Sequence, residues 1–391
     1  MNRGLVIAGA ILLTAAYPGG SAVAADTFDI DAVLPLTGGG AFLGTAEMRA
    51  LQRFEKVVAA TGGVHGRPVR IIFHDDQSSP QLAVQLANQI KAAKPPVILG
   101  SALVALCNAM APLMKDGPVL YCMSPGITPT PGGFAFSSSV STRGLAGGLL
   151  RYFGEHGWKR VALITSIDAT GQDALRNFKS LVASQGPDGV ELVADAQFNP
   201  TDVSVAAQIE KLKAANPDVL VAWSTGGPIG TVFKALQQTG LQIPVATTDG
   251  NMTYAQMTQY ATFLPGDLYI ASPDWLPSTG AHAGTAEAAV KTAFFKAFEG
   301  TDIRPDAPST FAWDPALLVV EALRSLRPGA TAEDVRAYLS NAQGVVGVNG
   351  IYDFKAVPNR GLSEANVAVT RWDREAGTWT VVSAPAGAAR K

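Results

Sequence analysis

The stretch TFDIDAVLPLTGGGAFLG (27–44) decides the fold. Thr27 to Leu34 alternates and turns apolar at its end, which predicts a strand. The glycine loop TGGGAFLG (37–44) follows, and Met48, Leu51, Phe54 and Val58 then recur at near-helical spacing. Gly62-Gly63 stops that helix, and Pro68 to Phe73 predicts a second strand ending in Asp75-Asp76, acids read as structural. Strand, glycine turn, helix and strand make one β-α-β unit.

The same alternation continues outward. Ser79-Pro80 opens a helix with proline at its first position. Strands are expected at Val97–Gly100, Val119–Cys122, Val161–Thr165, Val190–Ala196, Asp218–Trp223 and Val245–Thr247, with helices between them. These strands are short and continuously apolar, as in a parallel sheet covered by helices on both faces. Repeated units of this kind mean an α/β fold. The last third changes character: helices at Thr285–Phe298, Ser309–Leu326 and Ala332–Ser340, then strands at Gly350–Phe354, Asn366–Trp372 and Thr378–Ser383. Two sheets of about five strands each account for the pattern, and a chain of 391 residues predicts about two domains.

At the amino terminus, Asn2 and Arg3 precede an apolar run from Gly4 to Tyr17, followed by Pro18, two glycines and Ala22-Val23-Ala24. A charged start, a short apolar core and small residues read as a secretory signal over 1–24, cleaved after Ala24. The run is shorter than the roughly 20 residues a membrane-spanning helix needs. An exported chain with 30 basic and 32 acidic residues and no basic stripe is not expected to bind nucleic acid. Cys107 and Cys122 are the two cysteines. In an oxidising compartment they are expected to form a disulfide, the alternative being two buried thiols. Neither has the neighbours that metal ligation needs, and no cofactor is expected.

Several motifs carry a family resemblance: L-P-L-T-G (34–38), ATGGVHGRPVRIIFHDD (60–76), VILG (97–100), SPGITP (124–129), DATGQD (168–173), STGG (224–227) and the ending NGIYDF…TRWDREAGTWTVV. In this order and spacing the chain resembles the type I periplasmic solute-binding proteins of the branched-chain, or hydrophobic, amino-acid group of ABC transporters. The resemblance implies a two-lobed α/β fold, each lobe a mostly parallel sheet flanked by helices, joined by three hinge crossovers. Lobe one would take 26–143 and 272–345, and lobe two 144–271 and 346–391. A small solute would bind between them, beyond the carboxyl ends of the strands. The lobes would close on it and present it to a permease in the inner membrane. The chain would act as a periplasmic monomer.

The resemblance also implies site residues. In lobe one these are Leu43, where the family often has an aromatic ring, with Phe42 beside it. The carboxylate-binding serine falls at Val104, so Ser101 or helix-start N–H groups would have to substitute. Gly126 and Thr128 match the family's small residue and threonine. In lobe two, Thr170 and Thr225 replace tyrosines, and Asp249 matches the acid that holds a ligand amino group. Losing two tyrosines predicts a wide cleft and a ligand bulkier than valine or leucine, an aromatic or other organic acid among the options. Structural alternatives stand beside each: Asp249 capping a helix from Met252, Thr128 fixing a turn, Thr170 as an N-cap, Thr225 shaping a turn, Asp168 ending a strand, Phe42 and Trp223 in the core.

An enzyme is disfavoured. The four histidines, His65, His74, His156 and His282, form no H-E-x-x-H pair and neighbour no evident nucleophile. The G-x-S-x-G elbow is absent, and the 37–44 loop matches neither dinucleotide nor P-loop spacing. A ligand sensor or regulator of the same fold is the remaining alternative to transport.

Overall fold

A computed structural model describes residues 26–186, 189–277 and 284–390. The expected secretory signal at 1–24 lies outside these residues.

The first sheet is built from β1 (Phe28–Leu34), β2 (Val69–Asp75), β3 (Val97–Leu99), β4 (Val119–Cys122) and β5 (Ala135–Ser137). Their order is β2-β1-β3-β4-β5, and every pairing is parallel. The connecting helices are α1 (Ala41–Ala60), α2 (Pro80–Ala92) and α3 (Val104–Met110). Ser79 caps α2 by accepting from the Leu82 N–H. The α3 helix ends where the chain tightens at Ala111–Leu113 into a 3₁₀ turn containing Pro112, which has no N–H for an α-helical bond.

The second sheet runs through α4 (Thr142–Glu155), β6 (Arg160–Ser166), α5 (Ala169–Ser184), β7 (Glu191–Phe198), α6 (Ala206–Lys213), β8 (Val219–Trp223), α7 (Pro228–Thr239), β9 (Val245–Thr248), α8 (Tyr254–Gln259) and β10 (Leu268–Pro273). The chain then crosses back. The helices α9 (Ala286–Lys296), α10 (Ala307–Ser325) and α11 (Ala332–Asn341) follow, α10 and α11 packing on the first lobe, and β11 (Gln343–Val346) pairs with β12 (Ile351–Asp353). Finally β13 (Val367–Asp373) and β14 (Thr378–Val381) complete the second sheet, in the order β14-β13-β10-β9-β8-β6-β7. Its β10-β13 and β13-β14 pairings are antiparallel and the rest parallel.

The sheets therefore hold five and seven strands instead of about five each. The strands absent from the sequence reading are β5, β10 and β11. Three passages join the lobes: between β5 and α4, between β10 and α9, and between β12 and β13. On the third passage the chain stays against the first lobe past 346. Phe354 packs edge-on to Phe136 of β5 at 5.8 Å, and Asn359 Nδ2 donates to the carbonyl of Ala135 at 2.8 Å.

Apolar strand centres and helix faces form the cores. In the first lobe α10 lies along α1, where Phe54 meets Trp313 edge-to-face at 5.2 Å and Trp313 meets Phe294 at 5.1 Å. Pro315 sits inside α10, which is capped by Asp306 accepting from Ser309 N–H and Oγ. The structure pairs Cys107 of α3 with Cys122 of β4, with Cα atoms 6.0 Å apart and both residues fully buried. No helix among the described residues is long and apolar enough to cross a membrane.

Candidate functional site

The parallel strands of both sheets end facing one another, and the loops at those ends form the walls of an interlobe cleft. In the first lobe the loop after β1 is set by Asp75, whose Oδ1 accepts from the N–H groups of Leu36 and Thr37, while Oδ2 accepts from Thr37 Oγ1. The Ser78 hydroxyl accepts from Gly40 N–H and donates to the Thr37 carbonyl. This delivers Leu43, in the first turn of α1, to the cleft.

In the second lobe the loop 224–227 is held from below. Asn251 Nδ2 donates to the Ser224 carbonyl at 2.7 Å and to Thr247 Oγ1 at 2.9 Å, and its Oδ1 accepts from Gly226 N–H at 3.0 Å. Gln256 Nε2 donates to the Gly226 carbonyl at 2.9 Å. Gly226 has φ +81°, and a Cβ there would lie 2.2 Å from the carbonyl oxygen of Gly39. Only glycine fits that position. The lobes touch here through main chain, with Gly227 N–H donating to Gly39 O at 3.1 Å. Beside this contact Phe42 of α1 meets Tyr260 of the second lobe edge-on at 6.1 Å.

The cleft holds a cavity of only about 20 Å³, far below the roughly 300–1,000 Å³ common for ligand pockets, so with the lobes as they stand its walls nearly meet. Of the residues singled out from sequence, Leu43, Val104, Gly126, Thr170, Thr225 and Asp249 line it. The other three do not. Phe42 makes the interlobe ring contact. Ser101 is fully buried, its Oγ accepting from Leu103 N–H, and Ala102 lines the cleft in its place. Thr128 is exposed, whereas Ser124 and Pro125 of the same loop line the cleft.

The expected widening is absent. Trp223 and Phe311, both almost fully buried, line the cleft and occupy space next to the two threonines. Trp223 is fixed by an edge-on contact with Phe178 at 5.4 Å. The α5 helix is capped by Asp168, which accepts from Gly171 N–H at 3.0 Å, so Thr170 is freed from capping. Thr253 caps α8, so Asp249 is likewise not that helix's cap.

Asp249 is fully buried. Its Oδ2 accepts from Ser139 Oγ at 2.9 Å and its Oδ1 from Thr248 Oγ1 at 3.0 Å. Burial pushes its carboxyl up to about 6 against the pull of these hydrogen bonds. The site thus joins an apolar body, formed by Leu43, Val104, Met123, Trp223 and Phe311, to a fringe of hydroxyls and one acid. Among the described residues no cluster of histidine, cysteine or carboxylate side chains is arranged to hold a metal.

Two α/β lobes with a small cleft at their facing strand ends make the fold of the type I periplasmic binding class. The family model for periplasmic binding proteins matches residues 29–378, and the chain belongs to that family. It is 25% identical over 236 residues to a Leu/Ile/Val-binding protein homolog of Brucella melitensis and 22% identical over 254 residues to an amino acid binding protein of Pseudomonas aeruginosa. Those matches span 56% and 60% of this chain, and 61% and 63% of the relatives' own length. Among solved structures, an R. palustris (Rhodopseudomonas palustris) protein aligns with a TM-score of 0.80 at 21% identity, covering 92% of this chain and 100% of the other. The branched-chain amino acid transporter substrate binding protein LivJ of Streptococcus pneumoniae, in complex with isoleucine, gives a TM-score of 0.75 at 20% identity over 91% of this chain and 99% of the other. An ABC transporter solute binding protein of R. palustris, in complex with benzoate, gives 0.74 at 20% identity over 92% and 97%.

Proposed function

We propose that this chain is the exported solute-capturing subunit of an ABC importer, taking a small organic acid or amino acid into the interlobe cleft and handing it to a membrane permease. The observation that carries this reading is the cleft itself: both lobes line it, and the loops that line it also make the contact that closes it. An apolar body with a polar end is the shape of a small aliphatic or aromatic acid. The isoleucine and benzoate complexes of structurally similar proteins support both chemistries.

The mechanism is closure about the three passages. Solute meets one lobe first and gains its remaining contacts only when the second arrives, so it stabilises the closed form by that difference. Closing excludes water, which strengthens the hydroxyl and carboxyl contacts inside. The chain acts as a periplasmic monomer, and the energy for release comes from the transporter's ATPase, so the cleft has no catalytic task.

A thermal-shift screen of the mature chain with amino acids, their amides and small carboxylates tests this. A ligand specific for the folded state adds about 2.7 kcal/mol at a hundredfold excess over its Kd. A shift with an acid or amino acid is expected, accompanied by compaction in small-angle scattering. Binding with no compaction overturns the closure mechanism, and no shift across the whole screen overturns the small-acid reading.

A further inference from the structure

No lysine or arginine is among the described residues lining the cleft, so positive charge for an acidic solute has to come from behind its wall. One cation stands there. Arg360 lies on the third passage between the lobes and is 5% exposed. Its Nη1 donates to the carbonyls of Ser138 and Ser139 at 3.3 and 3.1 Å, and its Nη2 to those of Pro125 and Ile127 at 3.2 and 2.7 Å. All four partners are neutral, and among the described residues no carboxylate pairs with it directly. Burial pulls its guanidinium down to about 10, which leaves it charged at neutral pH. Asp173 and Asp249 are the acids that feel it. Asp173 is paired with Arg176 at 3.1 Å, and Asp249 takes two hydroxyl hydrogen bonds.

The wall that Arg360 braces carries a second feature. Ser124 lines the cleft, is 1% exposed, and its Oγ has no hydrogen-bond partner. Its main chain is fixed by Ser137 Oγ donating to its carbonyl at 2.6 Å. A buried hydroxyl left unpaired costs about 1–3 kcal/mol, and one at a binding surface is relieved when a ligand pairs with it. The resemblance had pointed instead to Val104 and Thr128, of which one has no hydroxyl and the other is exposed.

On the reading that this chain captures a small acid, we propose that the acid's carboxylate seats on the Ser124 hydroxyl and that Arg360, from behind the Pro125–Ile127 wall, is the positioning residue whose charge makes the cleft prefer the anion over its neutral counterpart. A unit charge about one peptide group away, at an effective dielectric of about 20, is worth on the order of tenfold or more in affinity.

The test compares isoleucine with isoleucinamide and benzoate with benzamide, by calorimetry on the full mature chain and on Ser124→Ala, Arg360→Met and Arg360→Lys. Wild type is expected to favour the acid of whichever pair it binds. Arg360→Met should cut that acid-to-amide ratio about tenfold while amide affinity stays within about twofold, and Ser124→Ala should weaken both members of the pair, the acid more than the amide. Arg360→Lys should keep most of the ratio. A merely structural arginine would weaken acid and amide in proportion, and that result, or a wild type indifferent to the acid, overturns the proposal while solute capture stands. A wild type that binds neither member of either pair overturns the capture of these acids, and the seat with it. Should Arg360→Met fail to fold, Ser124→Ala and Arg360→Lys decide the matter.

Discussion

The hydroxyl of Ser139 donates to Asp249 Oδ2 at 2.9 Å, so the acid of the second lobe's wall is held by the passage that joins the lobes. Ser139 itself has φ +63°, an unusual conformation for a residue with a side chain, and its carbonyl accepts from Arg360. The cleft acid, the first passage and the third passage are thereby tied at one point.

Asp249 sets a pH dependence. Its carboxyl stands near 6 when folded, against an ordinary 3.8. Between those values the folded chain keeps a proton that the unfolded chain has lost, so stability falls as pH rises through this window and is level above it. Burial moves Asp76 and Asp314 to about 6 and Asp306 to about 7 in the same sense. Chemical denaturation should show the chain more stable at pH 5 than at pH 8. Asp249→Asn should remove on the order of 1–1.5 kcal/mol of that difference, because only about one unit of the window lies above pH 5.

Closure depends on Gly226. A methyl group there meets the Gly39 carbonyl, at a residue whose φ of +81° already disfavours side chains. Gly226→Ala is expected to hold the lobes apart. Affinity should fall at least about tenfold, equivalent to roughly 1.4 kcal/mol, with a larger radius of gyration by scattering in saturating ligand.

The disulfide stabilises the wall on which Val104 and Ser124 sit. Its partners are 15 residues apart, a loop for which the chain-entropy model gives about 3 kcal/mol. Replacing both cysteines by serine should lower stability by about that amount in denaturant titrations. Unchanged stability would mean that burial of the surrounding apolar side chains alone holds α3 against β4.

Asn251 supports the loop that presents Thr225. Truncation to alanine leaves Gly226 N–H and the Ser224 carbonyl unpaired in a buried setting, which costs about 1–3 kcal/mol for each stranded group. Asn251→Ala should weaken ligand binding more than a surface substitution of equal destabilisation, as read by calorimetry beside melting curves.

Much of this architecture is legible in the sequence, because β3, β4, β6, β8 and β9 are largely apolar runs flanked by turn residues and β1 alternates before an apolar end. The strands that escape are those whose pattern is broken or brief. Ala135–Ser137 follows a proline- and glycine-rich loop, Gln343–Val346 contains a glycine with positive φ, and Leu268–Pro273 is a lone apolar run whose next helix starts only at Ala286. The site was legible where it sits at strand ends, as at Leu43, Thr170, Thr225 and Asp249. It was not legible where distant segments converge. Phe311 reads as one more core position of α10, and nothing in the local sequence of Arg360 says that its guanidinium reaches Pro125. The inference of a wide cleft failed for the same reason, since counting lost tyrosines ignores rings supplied from elsewhere.

The contact between Gly39 and Gly227 has a consequence for how such a protein changes over time. The seal between the lobes is written in backbone atoms at residues without side chains, whereas the cleft is lined by side chains such as Leu43, Val104 and Thr225. The two duties are recorded in separate parts of the same loops. Substitutions can therefore retune which solute is welcomed while the latch goes on working, and a family of one shape can diversify its diet without reinventing how it shuts.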